Sequence, residues 1–182
     1  MGTLEDREAI RDVIGAYAHA IDRRRWDMME KLFHDDATFG FGTVSGDWRG
    51  FVEQASAIID QCLATQHHLG QVQFGFESDT VCHTETYLNA MHVIPAGYPI
   101  PDVFPDRGRP YHAIVAGRYV DRFEKRATPD GVEWRIAQRT GLYDWRDCQE
   151  IDIEGLAETP EGSCGYHDNR DPSTPVVARW RG

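Results

Sequence analysis

Apolar residues recur every three or four positions near the start of the chain, the spacing that places side chains on one face of an α-helix. The residues in this pattern are Ile10, Val13, Ile14, Tyr17 and Ile21. Thr3, followed three positions later by Asp6, resembles the capping box that begins many helices, with Asp in place of Glu. We therefore predict a first helix from about residue 4 to about residue 22.

Two further helices are predicted before the middle of the chain. Apolar residues indicate a short helix over residues 26–33, where Asp27 favours the positively polarised N-terminal end. A short apolar stretch at residues 37–41 and a glycine-rich turn then lead into a third helical pattern at residues 51–62.

The second half of the chain changes to the period-two pattern of strands. Four segments rich in β-branched and aromatic residues lie at about residues 65–76, 80–93, 111–126 and 132–145. Tight turns are predicted at residues 78–79 and 129–131, each joining two antiparallel strands. Helices first and strands second is the order of an α+β fold with segregated layers.

Two segments lack a regular pattern. A loop of about 17 residues with five prolines separates the second and third of these strands, and loops of this length often cover pockets. Residues 147–182 hold Gly, Pro, Ser and charged residues with few apolar anchors. We expect an irregular C-terminal extension there, docked on its own domain or on a second subunit.

Composition narrows the class of protein. The 182 residues are 41% hydrophobic, which suits one domain with one core. The formal net charge of -11 disfavours nucleic acid and anionic membrane surfaces as partners. Neither a membrane-spanning stretch nor a basic leader followed by an apolar run is present, so we expect a cytoplasmic protein. The four cysteines are far apart and are expected to be reduced.

Asp22 and the histidines are the candidates for chemistry. Asp22 lies on the edge of the apolar stripe of the first helix, although a solvated acid at a helix end explains that position as well. Since neighbouring strand residues point to opposite faces, only one of His67 and His68 can enter a pocket. A zinc site built from His67, His92, His112 and Asp22 is a weaker alternative, since no element carries a paired-histidine motif.

Other chemistries lack their motifs. The chain has no Gly-x-Ser-x-Gly elbow for a nucleophilic serine and no glycine-rich phosphate cradle after a strand. We therefore expect neither a cofactor nor a metal ion.

Four sequence pieces together resemble a known family. They are the helix end at residues 18–22 followed by Trp26, and the strands at residues 65–70, 117–123 and 134–137. Over about residues 4–146 the chain is similar to the SnoaL-like, scytalone dehydratase-like branch of the nuclear transport factor 2 superfamily. The resemblance implies a cone-shaped α+β barrel, with N-terminal helices packed on a curved, mostly antiparallel sheet, over residues 1–146.

The resemblance also implies roles for three residues. Scytalone dehydratase, hexachlorocyclohexane dehydrochlorinase and bile-acid 7α-dehydratase share an Asp–His pair that maps onto Asp22 and His67. A second catalytic histidine of scytalone dehydratase maps onto His92, which would donate to the leaving oxygen or to a carbonyl. The alternative is a structural strand histidine bonded to a backbone carbonyl. Ile21 stands where scytalone dehydratase has a tyrosine, so the same substrate is doubtful.

Further side chains are expected to contact the substrate. An aromatic lining suits a flat cyclic molecule, but packing in the core explains the same residues. The candidates are Tyr17, Phe39, Trp48, Tyr119 and Tyr143, with Phe74 as a possible addition. Arg139 is a candidate for the pocket rim, although Arg118, Arg135 and Arg139 are also suited to pairing with acids.

These inferences together predict a small-molecule lyase or isomerase. His67 would act as general base and Asp22 would hold its imidazole in one tautomer. Dehydration of a hydroxylated aromatic, polyketide or steroid-like compound is the expected reaction, and polyketide cyclisation is a related one. The alternative is a non-catalytic binding or assembly module, such as a dioxygenase small subunit. In either case the family suggests a homo-oligomer, a dimer or trimer.

Overall fold

The computed structural model describes residues 2–42, 44–100, 102–151 and 165–181. Helix α1 spans Leu4–Asp22, as predicted. Its capping box is present, since the Thr3 hydroxyl accepts from the Asp6 backbone and the Asp6 carboxylate accepts from the Thr3 backbone. The Asp6 carboxylate also accepts from Lys125 and from the indole of Trp134. The start of α1 is thereby fixed to the sheet.

The next two helices differ in extent from the prediction. A 3₁₀ turn at Trp26–Met28 continues into a four-residue helix α2, Met29–Leu32. Phe33, which was expected in this helix, has extended backbone angles and begins a strand instead. Helix α3 spans Trp48–Ile59, three residues earlier than expected, because the Asp47 carboxylate accepts from the Gly50 backbone and caps it there.

The strands form one six-stranded sheet. The elements are β1 (Phe33–Phe41), β2 (Val44–Asp47), β3 (Ala64–Phe76), β4 (Val81–Ile94), β5 (Tyr111–Thr128) and β6 (Gly131–Glu150). Their order in the sheet is β2-β1-β6-β5-β4-β3. The β1–β6 pair is parallel and the other four pairs are antiparallel. The prediction of helices on a curved, mostly antiparallel sheet is confirmed.

The core lies between the helices and one face of the sheet. Helix α1 packs against β3 and β6, and its apolar stripe is buried there. On β4, the even-numbered residues of the segment 82–92 point to this face, as period-two alternation requires. The edge strand β3 alternates in the same way, with its odd-numbered residues inward over residues 65–69.

The C-terminal part differs from the expected boundary in one respect. Strand β6 continues to Glu150, so residues 147–150 are strand and not irregular extension. Of the remaining extension, residues 165–181 are described, and they contact the same chain. Val177 is buried, and Arg179 forms an ion pair with Asp12 of α1.

The described cysteines are not joined in disulfides. Cys62, Cys82 and Cys148 are free thiols, and Cys164 lies outside the described residues. Burial raises the pKa of Cys62 to about 12, so this thiol is unreactive at neutral pH.

In the described ranges, no helix has both the length and the apolar composition needed to cross a bilayer.

Candidate active site

A cavity of about 350 Å³ lies between the helices and the inner face of the sheet. Its wall is mostly apolar: Ile21 comes from α1, Leu88 from β4 and Val115 from β5. Phe51 of α3 and Phe104 of the loop at residues 95–110 add aromatic rings. A volume of this size lies at the lower end of the range for ligand pockets.

The two residues of the expected pair meet at this cavity. The Asp22 Oδ1 atom lies 2.7 Å from Nδ1 of His67, and Oδ2 accepts from the His67 backbone N–H, also at 2.7 Å. A carboxylate can only accept, so the proton of the first contact lies on Nδ1 and leaves Nε2 as the basic atom. His67 lines the cavity, while Asp22 lies behind it and outside the lining.

Local sequence explains how these residues meet. Asp22 is the last residue of α1, and α1 packs against β3. On β3, His67 points inward and is nearly buried, whereas His68 is exposed. The ambiguity between the two histidines is thus resolved by the alternation of the strand.

The hydrogen bonds of Asp22 determine its charge. Burial raises the pKa of this carboxyl, but the side-chain hydrogen bond, charge and backbone hydrogen bond of His67, together with a hydrogen bond from Thr65, outweigh that effect, and the pKa is lowered overall. Asp22 is therefore an anion at neutral pH. A buried anion beside Nδ1 stabilises the imidazolium that forms when Nε2 takes a proton.

His92 of β4 also lines the cavity. Its ring lies edge-on to His67, with 5.6 Å between the ring centroids. Burial and, next, the charge of His67 lower the pKa of His92 to about 3, so its imidazole is neutral at pH 7. Its Nδ1 atom is buried and has no hydrogen-bond partner among the described residues. A substrate atom could satisfy it.

Four of the expected substrate-binding residues line the cavity. Tyr17 and Tyr119 are buried and their rings meet edge to face, with centroids 5.5 Å apart. Phe39 stacks on Phe51. Tyr143 is 48% exposed, which places it at the mouth.

Other expected contacts are corrected by the structure. Trp48 is absent from the lining and instead stacks on Phe33 in the core, with centroids 5.5 Å apart. Phe74 is also absent from the lining, and its ring lies under the guanidinium groups of Arg7 and Arg11. Both aromatic side chains pack against other residues and do not form the cavity wall.

Arg139 lies behind the lining and not at its rim. It is fully buried, and its Nε and Nη2 atoms donate to Asp121 at 2.8 and 2.7 Å. The guanidinium carbon lies 4.0 Å from the ring centroid of Tyr17 and 4.3 Å from that of Tyr119. Arg139 therefore supports two residues of the cavity wall from behind. Arg118 and Arg135 also pair with acids, which confirms the structural interpretation of these arginines.

The zinc alternative is not supported by the geometry. His112 pairs with Val93 in the β4–β5 ladder, one position away from the His92–Ala113 pair, so His112 points to the other face of the sheet. Among the described residues, no group of three or more His, Cys, Asp or Glu side chains is arranged to hold a metal ion.

Sequence reasoning missed Arg146 as a cavity residue. On a regular strand, Arg146 and Tyr143 would face opposite sides because they are three residues apart. The β5–β6 register shifts at this point: Gly117 pairs with Tyr143 and Ala116 pairs with Trp145, which leaves Asp144 as an extra residue. This bulge turns both Tyr143 and Arg146 toward the cavity. The bulge depends on pairing between strands, for which the sequence carries no local signal.

The helices, the curved sheet and the cavity between them define the class of protein, an α+β pocket protein with the nuclear transport factor 2-like fold. Residues 2–140 match the family model of the SnoaL-like domain. The chain therefore belongs to the SnoaL-like family.

Individual relatives are distant. The uncharacterised protein Rv2910c of Mycobacterium tuberculosis is 27% identical over 139 residues, which is 75% of this chain and 84% of that protein. A candidate scytalone dehydratase from Novosphingobium aromaticivorans superposes with a TM-score of 0.65 at 18% identity, over 82% of this chain and 91% of its own. The hexachlorocyclohexane dehydrochlorinase LinA-type3 from Novosphingobium barchaimii gives 0.61 at 17% identity, over 80% and 90%. At such identities these structures establish the shared fold.

Proposed function

We propose that this protein is an acid–base lyase or isomerase that acts on a small cyclic molecule without a cofactor. The observation that carries the proposal is the Asp22–His67 contact of 2.7 Å at the wall of a cavity of about 350 Å³. A solvent-shielded base with a fixed tautomer, facing an apolar cavity, is suited to removing a proton from a bound organic compound.

In the dehydration that we favour, Nε2 of His67 removes a proton from a carbon next to the one that bears a hydroxyl group. The electron pair of the broken C–H bond forms the new double bond, and the C–O bond breaks. The imidazolium of His67 returns its proton to the departing hydroxyl, which leaves as water. In an isomerisation the same proton returns to a different carbon, so both reactions use the same base.

Asp22 is a positioning residue in this scheme. It holds Nδ1–H of His67 and stabilises the imidazolium through its negative charge, but it does not line the cavity. His92 stays neutral because its pKa is lowered to about 3, so it serves as a hydrogen-bonding group for the substrate oxygen and not as a proton donor. The unsatisfied Nδ1 of His92 supports this role.

The class of substrate is proposed from the cavity and from the relatives. The wall combines aromatic and aliphatic side chains, which suits a flat hydroxylated ring system. The two structural neighbours described above bear the names of a dehydratase and a dehydrochlorinase, both of which denote elimination reactions.

The competing interpretation is a binding or assembly module. It requires an interior cavity that has lost its catalytic function. The cavity is not filled by side chains, and the imidazole of His67 is held with its Nε2 atom free of Asp22. Both features support catalysis.

The proposal is tested first by finding a ligand. Hydroxylated aromatic, polyketide and steroid compounds are screened by thermal shift, since a ligand stabilises the folded state by RT ln(1 + [L]/Kd). Compounds that bind are then incubated with the protein, and loss of water or isomerisation is followed by mass spectrometry and NMR.

The Asp22→Asn variant then tests the pair. An amide at this position no longer fixes the tautomer of His67, so kcat should fall by about 10⁴-fold with little change in KM. Asp12→Asn is the matched control, since Asp12 lies on the same helix but pairs with Arg179 at the surface. Wild-type kcat in Asp22→Asn would refute the proposed role of Asp22.

A further inference from the structure

The mouth of the cavity carries a positively charged group that the proposed reaction does not use. Arg146 lines the cavity and its side chain is exposed, as is that of its neighbour Tyr143. Inside the same cavity, Tyr17 and Tyr119 are almost completely buried. The gradient from buried to exposed lining residues places Arg146 at the entrance.

Arg146 is set apart by the absence of an acidic partner. The chain has 30 acidic and 19 basic side chains, and neighbouring arginines of the sheet, such as Arg118 and Arg122, form ion pairs. Within the described ranges, no carboxylate lies at ion-pair distance from Arg146. Its one hydrogen bond there is from Nη1 to the backbone oxygen of Val103, at 3.1 Å. The guanidinium keeps most of its N–H groups for another acceptor.

The guanidinium is held in place by aromatic rings. Its central carbon lies 5.4 Å from the ring centroid of Phe104 and 5.9 Å from that of Tyr143, both of which line the cavity. Stacking on rings leaves the edge of a guanidinium open for a two-pronged contact with a carboxylate. Holding the side chain in advance also lowers the entropy lost on binding.

Arg146 and His67 are connected along one wall of the cavity. The ring centroid of Phe104, next to Arg146, lies 4.9 Å from that of His92. The ring centroid of His92 lies in turn 5.6 Å from that of His67. The charge of Arg146 also reaches inward, since it is one of the influences that lower the pKa of His92, after burial and the charge of His67. A flat molecule of two rings can therefore contact both ends of this wall.

We propose that the substrate is an organic acid whose carboxylate binds Arg146 at the cavity mouth while its rings reach His67. The part of this inference that places the rings of the substrate at His67 rests on the proposed function. The part that places its carboxylate at the mouth rests on Arg146 alone. In a protein with a net charge of -11, which repels anions overall, one unpaired arginine at the entrance supplies the local attraction. Asp102 is exposed and also lines the cavity, and its negative charge disfavours a second acidic group there.

The test compares two probes with the same rings and nearly the same shape, the anion 2-naphthoate and the neutral 2-naphthamide, by isothermal titration calorimetry. The wild-type protein should bind the acid about 10- to 100-fold more tightly than the amide, the range for hydrogen bonds to charged groups. In Arg146→Gln this preference should disappear while the affinity for the amide stays the same. Arg146→Lys keeps the positive charge but cannot form the two-pronged contact, so it should keep part of the preference.

Arg107→Gln is the matched control. Arg107 lies in the same loop as Val103 and also stacks on an aromatic ring, that of Tyr111, but it does not line the cavity. The acid preference should persist in this variant. Equal loss of acid and amide affinity in Arg146→Gln would mean that Arg146 only holds the loop through Val103, and would overturn the proposal. A wild-type protein that binds both probes equally, or neither, would overturn it as well.

The two proposals fail separately. The acid preference is a binding measurement and should persist in His67→Ala, whether or not that variant turns over a substrate. A wild-type protein that shows no acid preference, while its turnover still depends on His67, rejects the role of Arg146 alone. A retained preference with full turnover in His67→Ala rejects the proposed reaction alone.

Discussion

Asp22 uses each of its two carboxylate oxygens for a different part of His67. Oδ1 holds the imidazole and Oδ2 holds the backbone N–H of the same residue. The first contact selects the tautomer, and the second fixes the edge strand against the end of α1. One side chain therefore sets both the chemical state and the position of the candidate base.

His92 makes the protein sensitive to acid in a defined range. Its pKa is about 3 in the folded state and about 6.5 in an unfolded chain, so between these values unfolding takes up a proton. The free energy of unfolding therefore falls as the pH drops from about 6.5 toward 3, by at most about 1.4 kcal/mol per pH unit from this residue.

Substituting His92 tests this linkage. The His92→Gln variant should lose this contribution, so its free energy of unfolding should fall less steeply than that of the wild type between pH 6 and pH 4. Urea denaturation at a series of pH values measures both slopes. Equal slopes would show that His92 takes up its proton in the folded state as readily as in the unfolded chain.

At the scale of elements, β5 and β6 are joined by a buried ion pair behind the cavity. Asp121 and Arg139 are opposite each other in the ladder, and both are essentially inaccessible to solvent. Such a pair contributes little net stability compared with apolar residues, but removing one partner leaves a buried charge unpaired.

Asp121→Asn should therefore lower the free energy of unfolding by about 3–5 kcal/mol. Asp144→Asn is the control, since Asp144 pairs with Arg118 across the same two strands but at the surface, where little change is expected. Urea denaturation monitored by circular dichroism compares the two variants. A similar small effect in both would contradict the assignment of Arg139 as a buried support of Tyr17 and Tyr119.

The elements that the sequence predicted well are those with strong local patterns. The first helix is predicted to the residue, because a capping box begins it and a regular apolar stripe follows. Strands β3, β4 and β5 agree to within one or two residues. The prediction of Phe33 as a helical residue was wrong, because a four-residue helix followed directly by a strand leaves too short a pattern to separate the two.

The candidate site was predictable where it follows from strand alternation and from the family resemblance. Asp22 and His67 could be named because the family resemblance implies a counterpart for each, and strand alternation allows only one of His67 and His68 to face inward. Trp48 and Arg139 could not be placed, since an aromatic or cationic residue has the same local pattern in a core and at a cavity wall. Arg146 depends on a bulge that arises only when β5 and β6 pair.

For the whole molecule, the fold brings three distant segments to one cavity. The end of α1, the middle of β3 and the loop at residues 95–110 are separated in sequence, and the curved sheet holds them around the same space. The prediction that this loop covers the pocket is supported by Val103 and Phe104, which line it. The expected homo-oligomer and cytoplasmic location stay predictions.

The measurement that most directly tests the central claim is the turnover of His67→Ala beside that of His68→Ala. The two histidines are adjacent on β3, and only the first faces the cavity. Removing a general base should lower kcat by about 10²–10⁴-fold in His67→Ala, while His68→Ala keeps wild-type activity and both variants remain folded. Full activity in a folded His67→Ala variant would contradict the account.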